Sequence, residues 1–183
     1  NNDGYDDILI GSSTPTSSAG NVFVVYGHNS SIPFVDIYVP GTFHGMHLIG
    51  AAVGDSFGAV VSGVGDFNGD GIDDLTVSTF GGAGSFYVLF GHTAATPFPD
   101  IDLGNFYAYT RGFYILALDA DDQVGRSVSA GGDLNQDGIG DLIVGATGKT
   151  GLAGILSGRA YVIYGKSPTA APTVAPTIRP SVA

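Results

Sequence analysis

Two short stretches of the chain place side-chain oxygen donors at alternate positions, in the pattern Asp-x-Asn-x-Asp-Gly-x-x-Asp. Ca²⁺ takes about six to eight oxygen ligands, and these positions can converge on one ion if the chain turns sharply. Glycine at position six permits that turn because it adopts positive φ without steric cost. The pattern therefore predicts two calcium sites, with Ca²⁺ as the cofactor. Counting the backbone carbonyl at position seven, the candidate ligands are Asp66, Asn68, Asp70, Ile72 and Asp74, then Asp133, Asn135, Asp137, Ile139 and Asp141.

A third, incomplete copy of the pattern opens the sequence. Its ligand at position one would precede the first residue, so we expect this copy to bind calcium weakly or not at all. We also expect the sequence to be a piece of a longer one. Position eight carries further acids, Asp6 and Asp73, in two copies and Gly140 in the third. These acids are expected to be solvated or to stabilise turns. The candidate ligands of the incomplete copy are Asn1, Asp3, Tyr5 and Asp7.

The loops also allow two other interpretations. An EF-hand needs a bidentate Glu at position twelve and flanking helices, whereas position twelve is Val77 or Val144 and the neighbouring segments are β-like. The other interpretation is a set of Asx turns without metal. Repetition favours metal, because close carboxylates without a cation would repel one another. We expect the loops to act independently, so replacing Asp70 or Asp137 by alanine should weaken calcium binding and loosen the blade of its own loop, with little effect on the other.

The loops belong to a longer repeat, since Asp3, Asp70 and Asp137 are spaced by 67 residues. Short apolar segments between Gly-rich turns predict strands in the central repeat at 59–64, 75–79, 85–90 and 113–117. Four short strands make one propeller blade, whereas a β-sandwich gives no reason for a fixed period. We therefore predict an all-β fold of about three β-propeller blades, each a four-stranded antiparallel sheet. The predicted units are a partial unit at 1–44, a unit at 45–111 and a unit at 112–166.

The last part of the chain, 167–183, differs in composition. Pro-Thr or Pro-Ser pairs recur there every four residues, which predicts an extended linker or stalk. Such segments are often O-glycosylated spacers of secreted or surface proteins, and a plain interdomain linker is the alternative. One N-glycosylation sequon begins at Asn29.

Composition limits the possible partners. All 17 acidic residues are Asp, and the net charge of the 183-residue chain is −11. This charge disfavours nucleic acid and anionic membranes as partners. The absence of cysteine excludes disulfides and the usual zinc sites. No apolar stretch reaches the roughly 18 residues of a membrane span, so we predict no membrane insertion by this segment.

Catalytic patterns are missing from the sequence. Gly148-Lys149-Thr150 resembles the end of a nucleotide-binding loop, but Ile143 stands where that loop requires glycine. There is no G-x-S-x-G nucleophile elbow, and the conspicuous acids are committed to the loops. His44 and His47 have no recurring third ligand, so they are expected to be surface or packing residues. We predict a protein that is not an enzyme and binds no nucleotide.

The repeat resembles the FG-GAP repeats of integrin α-subunits, which join Phe-Gly, a calcium loop and Gly-Ala-Pro after the next strand. Phe57 and Gly58 supply the Phe-Gly of the central unit, which has Ser78-Thr79-Phe80 in place of Gly-Ala-Pro. In the third unit Val124 replaces Phe, and Thr147 replaces the Pro of Gly-Ala-Pro. The resemblance covers residues 1–166.

The resemblance implies a seven-bladed propeller, of which this chain would supply a part, with calcium stabilising the fold. It implies a noncatalytic module of an extracellular or cell-surface glycoprotein, for cell adhesion or ligand recognition, with a protein or glycan ligand at the propeller loops. Similar repeats also accompany catalytic domains. The alternative is therefore an accessory propeller of a larger secreted enzyme, such as a phospholipase D-like hydrolase. A purely structural spacer is a third possibility.

Overall fold

The computed structural model describes residues 1–13, 18–29, 44–81, 84–93, 101–105, 112–117, 122–148 and 158–166. The predicted linker or stalk at 167–183 lies outside the described residues. Within them, every regular element is a β-strand except one short 3-10 turn, Leu103–Asn105. The predicted all-β class is therefore confirmed. None of the helical segments in this part of the chain could serve as an apolar membrane span.

The predicted strands of the central repeat correspond to β4 (Val61–Gly65), β5 (Asp74–Thr79), β6 (Ser85–Leu89) and β8 (Gly112–Leu116), displaced by one or two residues at their ends. Aromatic and β-branched residues favour these extended segments, and glycines separate them. In chain order the described strands are β1 Ile8–Ser12, β2 Asn21–Val25, β3 Gly45–Ile49, β4 Val61–Gly65, β5 Asp74–Thr79, β6 Ser85–Leu89, β7 Ile101–Asp102, β8 Gly112–Leu116, β9 Val124–Gly132, β10 Asp141–Ala146 and β11 Arg159–Ile163.

The strands form three sheets. The first has the order β1-β2-β3-β7, the second β4-β5-β6-β8, and the third β11-β10-β9. All neighbours pair antiparallel except the two-residue β7, which runs parallel to β3. The prediction of about three antiparallel propeller blades is thus confirmed, while the parallel β7 was not predicted.

Sheets and sequence repeats are offset from each other. Strand β3 falls at the start of the predicted unit 45–111, yet it belongs to the first sheet and pairs with β2. Strand β8 likewise falls at the start of the unit 112–166 and belongs to the second sheet, where it pairs with β6. Between them the chain forms β4, β5 and β6 of the second sheet and then returns to the first sheet at β7.

The second sheet lies between the other two and is buried on both faces. Tyr87 and Leu89 of β6 pack into the core with the first sheet, whereas Phe86 and Val88 pack into the core with the third. Side chains alternate between the faces of a strand, so this one strand supplies both cores. After Ser85 its residues are accordingly all aromatic or aliphatic and do not alternate with polar ones. Three sheets with two cores between them exclude the two-sheet sandwich.

The Phe-Gly turn joins each sheet to the one before it. Phe57 is fully buried in the first core, where its ring meets that of Tyr87 edge-on at a centroid distance of 5.7 Å. Gly20 of the first sheet packs so closely on Phe57 that a Cβ would collide with the Phe57 carbonyl. Gly84 stands in the same relation to Val124, which is buried in the second core. Val124 thus preserves the joint although it departs from the Phe-Gly pattern.

Candidate metal centre

The two complete loops occupy equivalent places in neighbouring sheets. Loop 66–74 joins β4 to β5, and loop 133–141 joins β9 to β10. Position nine, Asp74 or Asp141, is the first residue of the second strand in each case and is 2 % or 0 % exposed. Position twelve is a fully buried valine inside that strand. Because strands flank both loops, the EF-hand interpretation is excluded.

Side-chain oxygens in loop 66–74 accept hydrogen bonds from the loop's own backbone. The Asp66 carboxylate accepts the amides of positions four, five and six at 2.6–3.0 Å. Asn68 Oδ1 accepts the Asp70 amide at 2.9 Å, and Asp70 Oδ1 accepts the amide of position seven at 2.9 Å. Gly71 has a φ of +84°, as the pattern requires. The first seven positions of the loop thus form a chain of Asx turns, in which the loop's own amides orient the side-chain oxygens.

Loop 133–141 repeats this network. Asp133 accepts the amides of positions five and six at 3.0 and 2.8 Å. Asn135 Oδ1 accepts the Asp137 amide at 3.0 Å, and Asp137 Oδ1 accepts the amide of position seven at 2.9 Å. In both loops the Asn side chain also donates to the second carboxylate oxygen of position five at 2.9 Å. Two separate sequences therefore build the same arrangement of oxygens.

The incomplete copy folds like the end of a complete one. The Asp3 amide donates to Asn1 Oδ1 at 3.1 Å, and the Tyr5 amide donates to Asp3 Oδ1 at 2.9 Å. The backbone nitrogen of Asn1 lies 3.1 Å from Asp7 Oδ2. This copy thus brings Asn1, Asp3 and Asp7 into the predicted order.

The acid at position nine connects its loop, through a hydrogen bond, to a glycine two residues beyond the next strand of the sheet. Asp74 Oδ2 accepts the amide of Phe67, at position two, at 3.0 Å, and its Oδ1 accepts the amide of Gly91 at 2.8 Å. Asp141 binds the corresponding amides at 2.7 and 3.0 Å. Asp7 accepts the Gly27 amide at 2.8 Å. In all three copies the position-nine carboxylate therefore has a structural role, because it accepts backbone amides from other parts of the sheet.

Sequence reasoning missed the role of the glycine that lies two residues beyond β2, β6 and β11. Gly27, Gly91 and Gly165 each pack on the carbonyl of position eight so closely that a Cβ would collide with it. The same glycines donate their amides to the position-nine acids. The recurrence of an aromatic residue followed by glycine was visible in the sequence, but only the folded chain shows that it faces the loop.

Among the described residues, no cationic side chain balances the charge of loop 66–74. Asp74 has a pKa of about 7 against an ordinary value of 3.8. Burial raises this pKa most, amide hydrogen bonds from Gly91 and Phe67 lower it, and the charges of Asp70 and Asp66 raise it. No described Lys, Arg or His side chain forms an ion pair with the acids of either complete loop.

The candidate ligand atoms are of the type that a hard cation such as Ca²⁺ prefers. Every candidate is an oxygen atom, and an ionised carboxylate offers about four lone-pair sites, of which the Asp66 carboxylate uses three for backbone amides. The described acidic and histidine side chains do not converge in groups of three or more that could hold a metal ion in this structure. Metal binding would therefore draw on the remaining lone pairs together with the amide and backbone carbonyl oxygens of the loop.

The histidines pack around aromatic rings. His47 stacks on Phe23 at a centroid distance of 4.5 Å, and its Nε2 lies 3.0 Å from Asn21 Oδ1. His92 Nε2 lies 2.7 Å from the Tyr26 hydroxyl, joining the first two sheets. His44 meets the Tyr26 ring edge-on. These contacts agree with the packing role expected for His44 and His47.

Comparison with known proteins finds one family model and two kinds of relative. The FG-GAP repeat model matches residues 124–163. Phosphatidylinositol-glycan-specific phospholipase D of Bos taurus is 29 % identical over 163 residues, which cover 80 % of this chain and 17 % of the relative. The Rattus norvegicus phospholipase is 32 % identical over 135 residues, covering 66 % of this chain and 16 % of the relative. Bos taurus integrin alpha-2 is 32 % identical over 84 residues, which cover 44 % of this chain and 7 % of the relative.

The chain spans about a sixth of the length of the phospholipase relatives. The matched family segment begins at Val124, in the Phe-Gly joint, and ends at Ile163, the last residue of β11. It therefore contains one complete candidate loop between two strands of the third sheet. The match identifies an FG-GAP repeat at residues 124–163, and the relatives and the three stacked sheets extend the likeness to the described residues before it.

Proposed function

We propose that the chain is a calcium-binding, noncatalytic FG-GAP module of a cell-surface or secreted protein, and that it recognises a protein or glycan ligand through its propeller loops. One observation supports the proposed calcium binding. Loops 66–74 and 133–141 build the same network of acidic and amide oxygens, and no described cationic side chain neutralises it. A divalent cation would relieve the mutual repulsion of these carboxylates.

The residues that would hold the ions follow from the pattern. In the central loop they are Asp66, Asn68 and Asp70, the Ile72 carbonyl, and Asp74. In the third loop they are Asp133, Asn135 and Asp137, the Ile139 carbonyl, and Asp141. The incomplete copy offers Asn1, Asp3, Tyr5 and Asp7 in the same positions. Calcium would stabilise the blades, because an ion that binds only the native state raises the free energy of unfolding by mass action.

Thermal unfolding with calcium and with excess chelator tests the calcium sites. Saturating calcium should raise the melting temperature by several degrees, and calorimetry should find about two bound ions. The variant carrying Asp70→Ala and Asp137→Ala should lose both effects. The matched control carries Asp6→Ala and Asp73→Ala, which remove two exposed acids at position eight, and it should keep both. An unchanged melting temperature of the folded wild type would contradict calcium binding.

The adhesion role has a direct test of its own. The chain, immobilised on a surface, should retain animal cells or glycan-coated beads in calcium and release them in chelator. The variant with both loops inactivated should retain neither. Equal retention by the wild type and this variant would contradict recognition through calcium-ordered loops.

One observation favours the alternative of an accessory propeller attached to a secreted enzyme. The two phospholipase D relatives align with 80 % and 66 % of this chain, whereas integrin alpha-2 aligns with 44 %. Under this alternative the chain itself has no hydrolase activity. Incubation of the purified chain with a phosphatidylinositol-glycan-anchored protein should then leave the anchor intact, and cleavage would contradict the noncatalytic assignment.

A further inference from the structure

The two complete loops touch each other across the boundary between the second and third sheets. The amide of Gly140, at position eight of the third loop, donates to the carbonyl of Asp66 at 2.8 Å. The amide of Lys166, just beyond β11, donates to the carbonyl of Phe67 at 3.0 Å. Asp66 and Phe67 are positions one and two of the central loop. The start of the central loop is therefore held by the unit that follows it.

This contact explains why position eight differs in the third unit. Asp6 and Asp73 occupy that position in the other copies and are exposed. A Cβ on Gly140 would lie only 3.0 Å from the Val64 carbonyl oxygen and 3.2 Å from that of Asp66. No side chain fits there unless the central loop moves by a few tenths of an ångström. Glycine at this position is thus a requirement of the contact between the loops.

The contact reaches the candidate ligand at position one of the central loop. The Asp66 carbonyl is fixed by Gly140, while the Asp66 carboxylate accepts the amides of Gly69, Asp70 and Gly71. We propose that Gly140 and the third loop position Asp66, so that the two loops bind calcium cooperatively and not independently. This inference rests on the proposed calcium function. Because coupling between binding sites is reciprocal, each filled loop should raise the affinity of the other by the same factor.

A calcium titration followed by amide NMR measures each loop separately. The Gly71 resonance reports on the central loop, and the Gly138 resonance reports on the third. Gly140→Ala should move the Gly71 midpoint to calcium concentrations about fivefold higher or more. The matched control is Gly63→Ala, because a Cβ at Gly63 meets no atom within 4 Å, and it should leave both midpoints unchanged. An unshifted Gly71 midpoint in folded Gly140→Ala would overturn the coupling.

Reciprocity supplies a second test that needs no change at the contact. Asp137→Ala should shift the Gly71 midpoint to higher calcium concentration, and Asp70→Ala should shift the Gly138 midpoint in the same direction. If each substitution affects its own loop alone, the loops bind independently and the inference fails while the proposed function stands.

Hydrogen exchange in chelator separates failure of the inference from failure of calcium binding. Without calcium, Gly140→Ala should speed exchange of the Gly69, Asp70 and Gly71 amides, because the added Cβ pushes on the Asp66 carbonyl and so displaces the Asp66 carboxylate that accepts them. Gly63→Ala should not change their exchange. If no resonance of the wild type responds to calcium, the proposed function fails, and this exchange result alone decides whether Gly140 positions Asp66.

Discussion

At the scale of single residues, the acid at position nine has two roles that the sequence pattern does not separate. It was predicted as a ligand, and the structure shows that both Asp74 carboxylate oxygens accept buried or half-buried backbone amides. Local spacing predicts which residues share a loop, because positions one to nine are close along the chain. It cannot predict that Asp74 also meets Gly91, because that contact depends on how β5 and β6 pair.

This structural role can be tested apart from metal. Asp74→Ala removes the only acceptor that the structure gives to the amides of Phe67 and Gly91, and a buried amide without a partner costs about 1–3 kcal/mol. Urea unfolding in chelator should show a loss of that size. The matched substitution Asp73→Ala, at an exposed neighbour, should change the free energy of unfolding by less than about 0.5 kcal/mol. Equal losses would mean that the two amides do not depend on Asp74.

At the scale of strands and sheets, the sequence predicted the central repeat well because its four strands are short apolar runs bounded by glycine. The nine-residue β9 and the parallel pairing of β7 with β3 were not predicted. Both depend on neighbours: β9 contacts β4 and β5 of the second sheet, and β7 exists only through two residue pairs with β3. Neither leaves a periodic signal within its own segment.

The joint between the first two sheets gives a prediction at this scale. Phe57→Ala should destabilise the chain by about 3–5 kcal/mol, because it leaves a cavity in a core where Phe57 is fully buried. Tyr114→Ala, at an aromatic residue of β8 that is 46 % exposed, is the control and should cost clearly less. Urea denaturation monitored by circular dichroism gives both values. A loss at Phe57 no greater than that at Tyr114 would contradict the role of the Phe-Gly turn as the joint.

At the scale of the whole molecule, the described part of the chain is a row of sheets in which the second sheet contacts both the first and the third. Such arrays gain stability from the units and from the interfaces between them. The second sheet contributes to both cores through alternate residues of β6, so the two interfaces share one strand. The 67-residue period predicted this succession of units, but the sharing of β6 follows only from the burial of both its faces.

Because both cores share β6, we expect a destabilising substitution in one core to destabilise the other core as well. Leu142 is fully buried in the second core, so Leu142→Ala should cost about 2–5 kcal/mol. If the sheets unfold together through β6, native-state hydrogen exchange should accelerate in β2 of the first sheet as well as in β10. Exchange that accelerates in β10 while β2 keeps its wild-type protection would show that the third sheet opens alone. In that case the second sheet would hold the first sheet in place even after the core on its other face is lost.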